Sequence, residues 1–302
     1  MKPPPPPGNP FLKIFFWKRF WRIYPPYFIA LVVFYYLMLR HLETRTSAGN
    51  FWLHLLLIHN FDIDAFFGIN PAFWSLAVEM QFYLLFPLVL MLRQKVGMKS
   101  AFWFFAAVSL VCRITALFLQ DWSQPPSQCL WYFTLTLFVD WLLGAWLAEK
   151  WLAGQRLLGA SPGKALALGI LAVALTWNKI TAVFLGFTAF SLWYATLMEL
   201  YLFSTKPFGR WEKTIVPVGL CSYSIYLWHQ PLLGRVLHWL HNFGLPQTPI
   251  ANLAVLPVDV LVMIILGFVS YKLVELPSIN LGKRLYKKMK RRMPRKITIQ
   301  VP

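Results

Sequence analysis

Apolar residues gather along the chain into eight stretches separated by short polar gaps: 24–40, 72–92, 101–119, 130–148, 164–178, 180–203, 215–237 and 250–272. Most approach the roughly 20 residues that an α-helix needs to cross a bilayer. The pattern predicts an all-α, polytopic membrane helix bundle of about eight transmembrane helices, forming a single domain over residues 1–302. A proline-rich leader at 1–14 precedes it and a basic tail at 283–302 follows. The fifth stretch is short and glycine-rich, and is expected to pair tightly with the sixth across Asn178 and Lys179.

Composition supports this reading. Of 302 residues 58% are hydrophobic and only 13% charged, about half the charged share of a soluble domain. A mean hydropathy of +0.54 excludes both a soluble globule and a disordered chain. Three cysteines cannot form a disulfide framework.

The net charge of +18 would suit nucleic acid, but the basic residues sit in the gaps between apolar runs. There they behave as a topology signal. With the N-terminus cytoplasmic, 24 Lys and Arg fall inside and three outside, with Arg113 and Arg235 within spans. The positive-inside rule therefore places both ends in the cytoplasm and the protein in the cell (inner) membrane, without a nucleic-acid partner. The basic tail is expected to rest on anionic membrane lipids.

Ionisable groups inside a membrane are costly and point to function. In FWSLAVEMQFYLLFP, Ser75, Glu79 and Tyr83 recur every four residues and share one helical face. Glu79 is either a general base or a structural carboxylate. In GLCSYSIYLWHQPLL, Ser222, Tyr226 and His229 share another face with Tyr223 beside it. His229 suits acid–base work near neutral pH or a helix–helix hydrogen bond. Arg113 needs an anion within its span, which Glu79 or Asp140 could supply, unless it grips an acidic substrate. Arg19 and Arg22, three residues apart, suit phosphate recognition or plain topology anchoring. His238 and His241 lack an evident third ligand, and His54 and His59, five residues apart, do not share a helical face well, so no metal site is expected.

Four segments together resemble the acyltransferase-3 family of integral membrane O-acyltransferases. RFWRIYPPY is similar to its Arg-x-x-Arg motif, FWSLAVEMQFYLLFP to its most recognisable stretch, and SYSIYLWHQPLL with the closing VELP to its final two spans. The likeness runs from about residue 15 to 285. It implies transfer of an acyl group, acetyl above all, from cytoplasmic acyl-CoA to a hydroxyl of a cell-surface glycan or lipid-linked acceptor. Acyl-CoA is then a co-substrate, and no cofactor stays bound. Arg19 and Arg22 would contact the donor's phosphates; Glu79, Tyr83, Tyr226 and His229 would line one polar cavity.

Two departures accompany the likeness. The family has ten core spans with a catalytic histidine in the first, whereas this chain begins just before the Arg-x-x-Arg motif. An arginine often stands two residues before the aspartate corresponding to Asp140, where this sequence has Phe138. Three readings follow: an O-acyltransferase whose start lies upstream, an inert N-terminally truncated membrane protein that binds donor or glycan only, or an enzyme in which His229 replaces the missing base.

Overall fold

The computed structural model describes residues 10–41, 48–124, 127–204, 209–232, 235–244, 246 and 248–292. Leader residues 1–9, Arg45, Lys206 and the tail beyond 292 lie outside the described residues. Every described element is helical. In chain order they are α1 (Pro10–His41), α2 (Ala48–Leu55), a 3-10 turn at His59–Phe61, α3 (Phe73–Leu119), α4 (Gln128–Trp131), α5 (Thr134–Leu152) and α6 (Pro162–Leu175). There follow α7 (Lys179–Thr181), a π-helical turn at Ala182–Gly186, α8 (Phe187–Leu202), α9 (Arg210–Leu220), α10 (Ser222–Leu232) and α11 (Arg235–Asn242). The chain closes with α12 (Pro249–Ser270), a second π-helical turn at Tyr271–Glu275 and α13 (Leu276–Arg292).

Among the described residues, five helical stretches are long and apolar enough to cross a membrane: Phe11–Leu39, Phe73–Leu119, Gln128–Leu152, Lys179–Leu202 and Leu253–Lys290. Their outer faces carry large apolar side chains, such as Leu84, Phe118 and Leu253, as expected where lipid replaces water as the solvent. The stretch 164–178 is the shorter α6, and 215–237 is divided among α9, α10 and α11. Pro217 stands inside α9, where its ring removes a backbone donor, and the helix ends three residues later.

The described residues form two compact units, one within 48–212 and one made of 10–41 with 213–292. In the first, α3 folds back on itself at Gly97, whose φ of 82° and ψ of 161° lie in a region essentially reserved for glycine. Phe82 before the fold and Phe105 after it consequently both pack on Phe138 of α5. Two expected spans, 72–92 and 101–119, thus form the two arms of this hairpin. α6 lies against α8 so closely that a Cβ on Gly169 would meet the Trp193 ring at 2.9 Å. Small residues permit such approach between helices in lipid. The connection is tight because Asn178 caps α7, its side-chain oxygen accepting from Ile180 N at 2.8 Å.

In the second unit, α1 packs on α13 and α10 on α12. Residues 10–23, which precede the expected first span at 24–40, are continuous with it in one helix. Pro25 and Pro26 interrupt the backbone ladder of α1. Pro25 has no N–H for the carbonyl of Trp21, and the Ser278 hydroxyl of α13 donates to that oxygen at 2.5 Å. The Tyr223 hydroxyl of α10 donates to the neighbouring carbonyl of Ile23 at 2.7 Å. A proline-induced gap in one helix thereby becomes an anchoring point for another.

Candidate functional site

In the first unit, Glu79 and Tyr83 lie one turn apart on α3, and the Tyr83 hydroxyl donates to Glu79 Oε1. Glu79 is half-buried, Tyr83 is buried, and Ser75 stands half-buried one turn earlier. Trp141 of α5 closes against Tyr83 and Phe82. Gln81, between them in sequence, joins a second polar group: its amide nitrogen donates to Asn60 Oδ1 at 2.8 Å, and the Thr134 hydroxyl donates to its oxygen. The hydroxyl–carboxylate pair keeps Glu79 oriented.

Beside this group, His54 and His59 stack face to face, ring centroids 3.9 Å apart, and neither reaches solvent. They meet because α2 ends between them and the 3-10 turn brings His59 back over His54. His54 Nδ1 lies 2.7 Å from the carbonyl oxygen of Asn50, which accepts only, so this nitrogen carries the proton. Burial lowers the pKa of His54 to about 4 and of His59 to about 3, helped at His59 by the neighbouring ring. Among the described residues, no three His, Cys, Asp or Glu side chains come together as a metal site.

Arg113 is buried in the second arm of α3 and pairs with Asp140, not Glu79, at 3.0 Å. All five of its donors are engaged. Nε and Nη2 meet the Thr136 carbonyl, Nη2 also meets Asp140, and Nη1 meets the Phe184 carbonyl and the Thr188 hydroxyl. Phe184 lies in the π-helical turn, where the ladder leaves carbonyls open. The pair forms the polar wall of an otherwise apolar cavity of about 430 Å³ lined by Phe102, Trp103, Trp146 and Leu192. With no donor spare, Arg113 braces α3, α5 and the start of α8.

The second unit holds the other predicted residues. Ser222 is exposed at the start of α10, and Tyr223 is spent on the Ile23 carbonyl. Tyr226 and His229 are half-buried, ring centroids 5.3 Å apart. His229 Nδ1 lies 2.8 Å from the Tyr226 carbonyl oxygen, which only accepts, so Nδ1 donates. Buried Glu275 lies 3.5 Å from Arg22 Nε and accepts from Ser224 Oγ at 2.7 Å.

Arg22 also lines a cavity of about 320 Å³ between α1 and α13, with Trp17, Lys18, Trp21, Lys283 and Tyr286. Positions 14, 17, 18, 21 and 22 form one face of α1, and 279, 282, 283 and 286 one face of α13. The backbones come close at Gly282, whose carbonyl accepts from Trp17 Nε1 at 2.8 Å. Arg19 lies off this face and stacks over Phe15 at 5.5 Å. The cationic partner of Arg22 across the cavity's α1 face is therefore Lys18, four residues away, instead of Arg19. Sequence reasoning missed Lys18, Lys283, Tyr286 and Ser224. The i, i+4 spacing from Arg22 could have found Lys18, but nothing in the sequence pairs α1 with α13.

The family profile described as an acyltransferase domain matches residues 6–272, most of the chain and residues of both units. The chain belongs to the acyltransferase-3 family. The apolar helices make it a membrane protein of that family. Its similar proteins include O-acetyltransferase OatA of Staphylococcus aureus strain NCTC 8325 / PS 47, 23% identical over 254 residues that make up 79% of this chain and 40% of the relative. Acyltransferase MdmB of Streptomyces mycarofaciens is 24% identical over 298 residues, 89% of this chain and 75% of that protein. Peptidoglycan O-acetyltransferase OatA of Listeria monocytogenes strain EGD-e is 27% identical over 261 residues, 74% and 40% respectively. The chain thus spans about 40% of the length of the OatA relatives. No solved structure gives a significant match.

Proposed function

We propose that this protein moves an acyl group, acetyl above all, from acyl-CoA to a hydroxyl of a cell-surface glycan or lipid-linked acceptor. It would do so in the cytoplasmic membrane, crossing it about eight times as one acyltransferase domain with both ends in the cytoplasm. The observation that carries the reading is the cavity at the basic end of α1. It combines cations with aromatic walls, the chemistry that suits a phosphorylated, ring-bearing donor. The relatives named for O-acetyl transfer support the choice of acetyl and of a glycan acceptor.

In the reaction, a base takes the proton of the acceptor hydroxyl and the oxygen attacks the thioester carbonyl carbon. The C–S bond then breaks, and the CoA thiolate recovers a proton. His229, with Nδ1 engaged by the Tyr226 carbonyl, would act as base through Nε2 in its neutral form. Glu79, held by Tyr83, provides a fixed carboxylate that orients the acceptor hydroxyl or serves as base. Ser75, Tyr226 and Ser222 are assigned as neighbouring polar contacts to substrate. Arg113 and Asp140 shape the first unit without touching reacting atoms.

The test uses the full chain in proteoliposomes with radiolabelled acetyl-CoA and peptidoglycan fragments as acceptor. Glu79→Gln and His229→Ala are each expected to lower transfer about 100-fold or more, the usual range for lost acid–base groups, with membrane insertion unchanged. Full activity in either variant removes that residue from the site. Binding of acetyl-CoA without transfer by the unmodified protein would assign it to donor binding alone.

A further inference from the structure

Cations in a folded protein either meet carboxylates inside it or await an anion. At the cavity between α1 and α13 three cationic side chains, Lys18, Arg22 and Lys283, line one space of about 320 Å³. Glu275 faces Arg22, while among the described residues no carboxylate forms an ion pair with Lys18 or Lys283. Three aromatic side chains, Trp17, Trp21 and Tyr286, complete the walls. The indole N–H of Trp21 is buried and donates to nothing among the described residues, a further donor facing no acceptor. Excess positive charge, an unused N–H and flat π-faces together match a phosphate joined to an aromatic base.

Resting on the donor reading above, we propose that α13 supplies half of the pocket for the nucleotide end of acyl-CoA. Lys283 and Lys18 grip its phosphates, and Tyr286, with Trp17 or Trp21, packs on the purine. α13 lies beyond the residues matched by the family profile, which end at 272. The C-terminal helix thereby becomes a working part of the donor site in addition to a membrane-surface anchor. Gly282 makes this possible, because a Cβ there would sit 2.4 Å from the Trp21 ring and push the two helices apart. An anionic lipid headgroup shares the phosphate chemistry but has no purine for the aromatic walls.

The experiment follows binding of coenzyme A, and its displacement by adenosine 3′,5′-bisphosphate, to the full chain in nanodiscs of zwitterionic lipid, by tryptophan fluorescence and calorimetry. Coenzyme A is expected to bind and the bisphosphate to compete. Lys18→Gln, Lys283→Gln and Tyr286→Ala should each weaken binding about tenfold, and Lys283→Glu more. Lys288→Gln, on the same helix but on its opposite face, should leave it unchanged. Both lysines are exposed, so these variants retain the fold and a thermal unfolding scan checks it. Coenzyme A binding that is indifferent to residues 18, 283 and 286 overturns the role of α13 while the donor reading stands. Absence of coenzyme A binding in the unmodified protein overturns the donor reading itself. Nanodiscs containing phosphatidylglycerol give the last arm: if only they occupy the pocket and the bisphosphate does not displace them, the site is a lipid site and the proposal fails.

Discussion

Arg113 in the first unit and Lys18, Arg22 and Lys283 in the second carry the same charge in opposite conditions. Arg113 is buried and every N–H it owns is spent on Asp140, Thr188 or a backbone carbonyl. Lys18, Arg22 and Lys283 line an open cavity, and among the described residues only Arg22 of the three has a carboxylate beside it. Placing a charge in a low-dielectric interior costs several kcal/mol, which the surrounding dipoles and counter-charge must offset. A cation for which the fold has provided that much is holding the fold. A cation left with donors to spare is available to a ligand. The same distinction separates Asp140, paired with a cation, from Glu79, whose oriented partner among the described residues is the Tyr83 hydroxyl.

The sharpest way to break the comparison is to remove Arg113. Arg113→Met should destabilise the first unit by about 3–5 kcal/mol, because Asp140 is left buried without a cation. Arg113→Met combined with Asp140→Leu should recover most of that loss, since a matched apolar pair carries no desolvation penalty. Thermal or denaturant unfolding in detergent measures both. Coenzyme A binding to whatever fraction remains folded should be unaltered. A loss of binding with normal stability would move Arg113 from brace to ligand.

A smaller effect is expected at Glu199 near the end of α8. This carboxylate is fully buried and accepts from three backbone amides, Leu157 N at 2.5 Å, Leu158 N at 2.9 Å and Ala160 N at 2.8 Å. It ties down the connection between α5 and α6, from which Leu157 and Leu158 line the apolar cavity beside Arg113. Glu199→Gln replaces one acceptor oxygen by an NH₂ facing amide donors. The cost should be about 2–3 kcal/mol, in keeping with lost hydrogen bonds to a charged group. Protease cleavage within 153–161 should accelerate in parallel. Unchanged stability would show that the anionic clamp is dispensable.

What was legible in the sequence follows the range over which each signal acts. Hydrophobic runs report burial in lipid directly, so the helical membrane architecture and the hairpin arms around Gly97 could be read from residues 72–119 alone. Helical spacing is also local, and it correctly joined Glu79 to Tyr83. The partner of Arg113 is 27 residues away, and either Glu79 or Asp140 satisfied the charge; only packing of α3 on α5 decides for Asp140. Glu199 was invisible because its partners are backbone amides, which have no sequence signature. The Lys283 and Tyr286 wall depends on α13 returning to α1 across more than 250 residues, and its basic composition already had a sufficient explanation in the membrane surface. Arg19 was preferred to Lys18 because the family motif names arginines, whereas the cavity follows the i, i+4 face.

The smallest effect distinguishes a third way of burying a basic group, which is to keep it neutral. His54 and His59 stack out of solvent, and burial holds their pKa values near 4 and 3, below the usual 6.5. The native state therefore takes up no proton on them as pH falls below 6.5, whereas the unfolded chain does. Stability is complete above about 6.5 and declines as pH falls towards 4, by at most about 1.4 kcal/mol per pH unit for each histidine. Unfolding midpoints measured from pH 7 to 5 should fall accordingly. His59→Phe keeps a flat ring on His54 and removes one titrating group, so about half of the slope should vanish. Because these groups are neutral in the working range, His59→Phe should leave the pH dependence of coenzyme A binding between 7 and 5 as it is in the unmodified protein, where the ligand's own phosphate monoester, titrating at about 6, sets it. A binding profile that changes with His59→Phe over that interval would tie the stacked pair to the ligand-binding cations and erase the separation between structural and available charge.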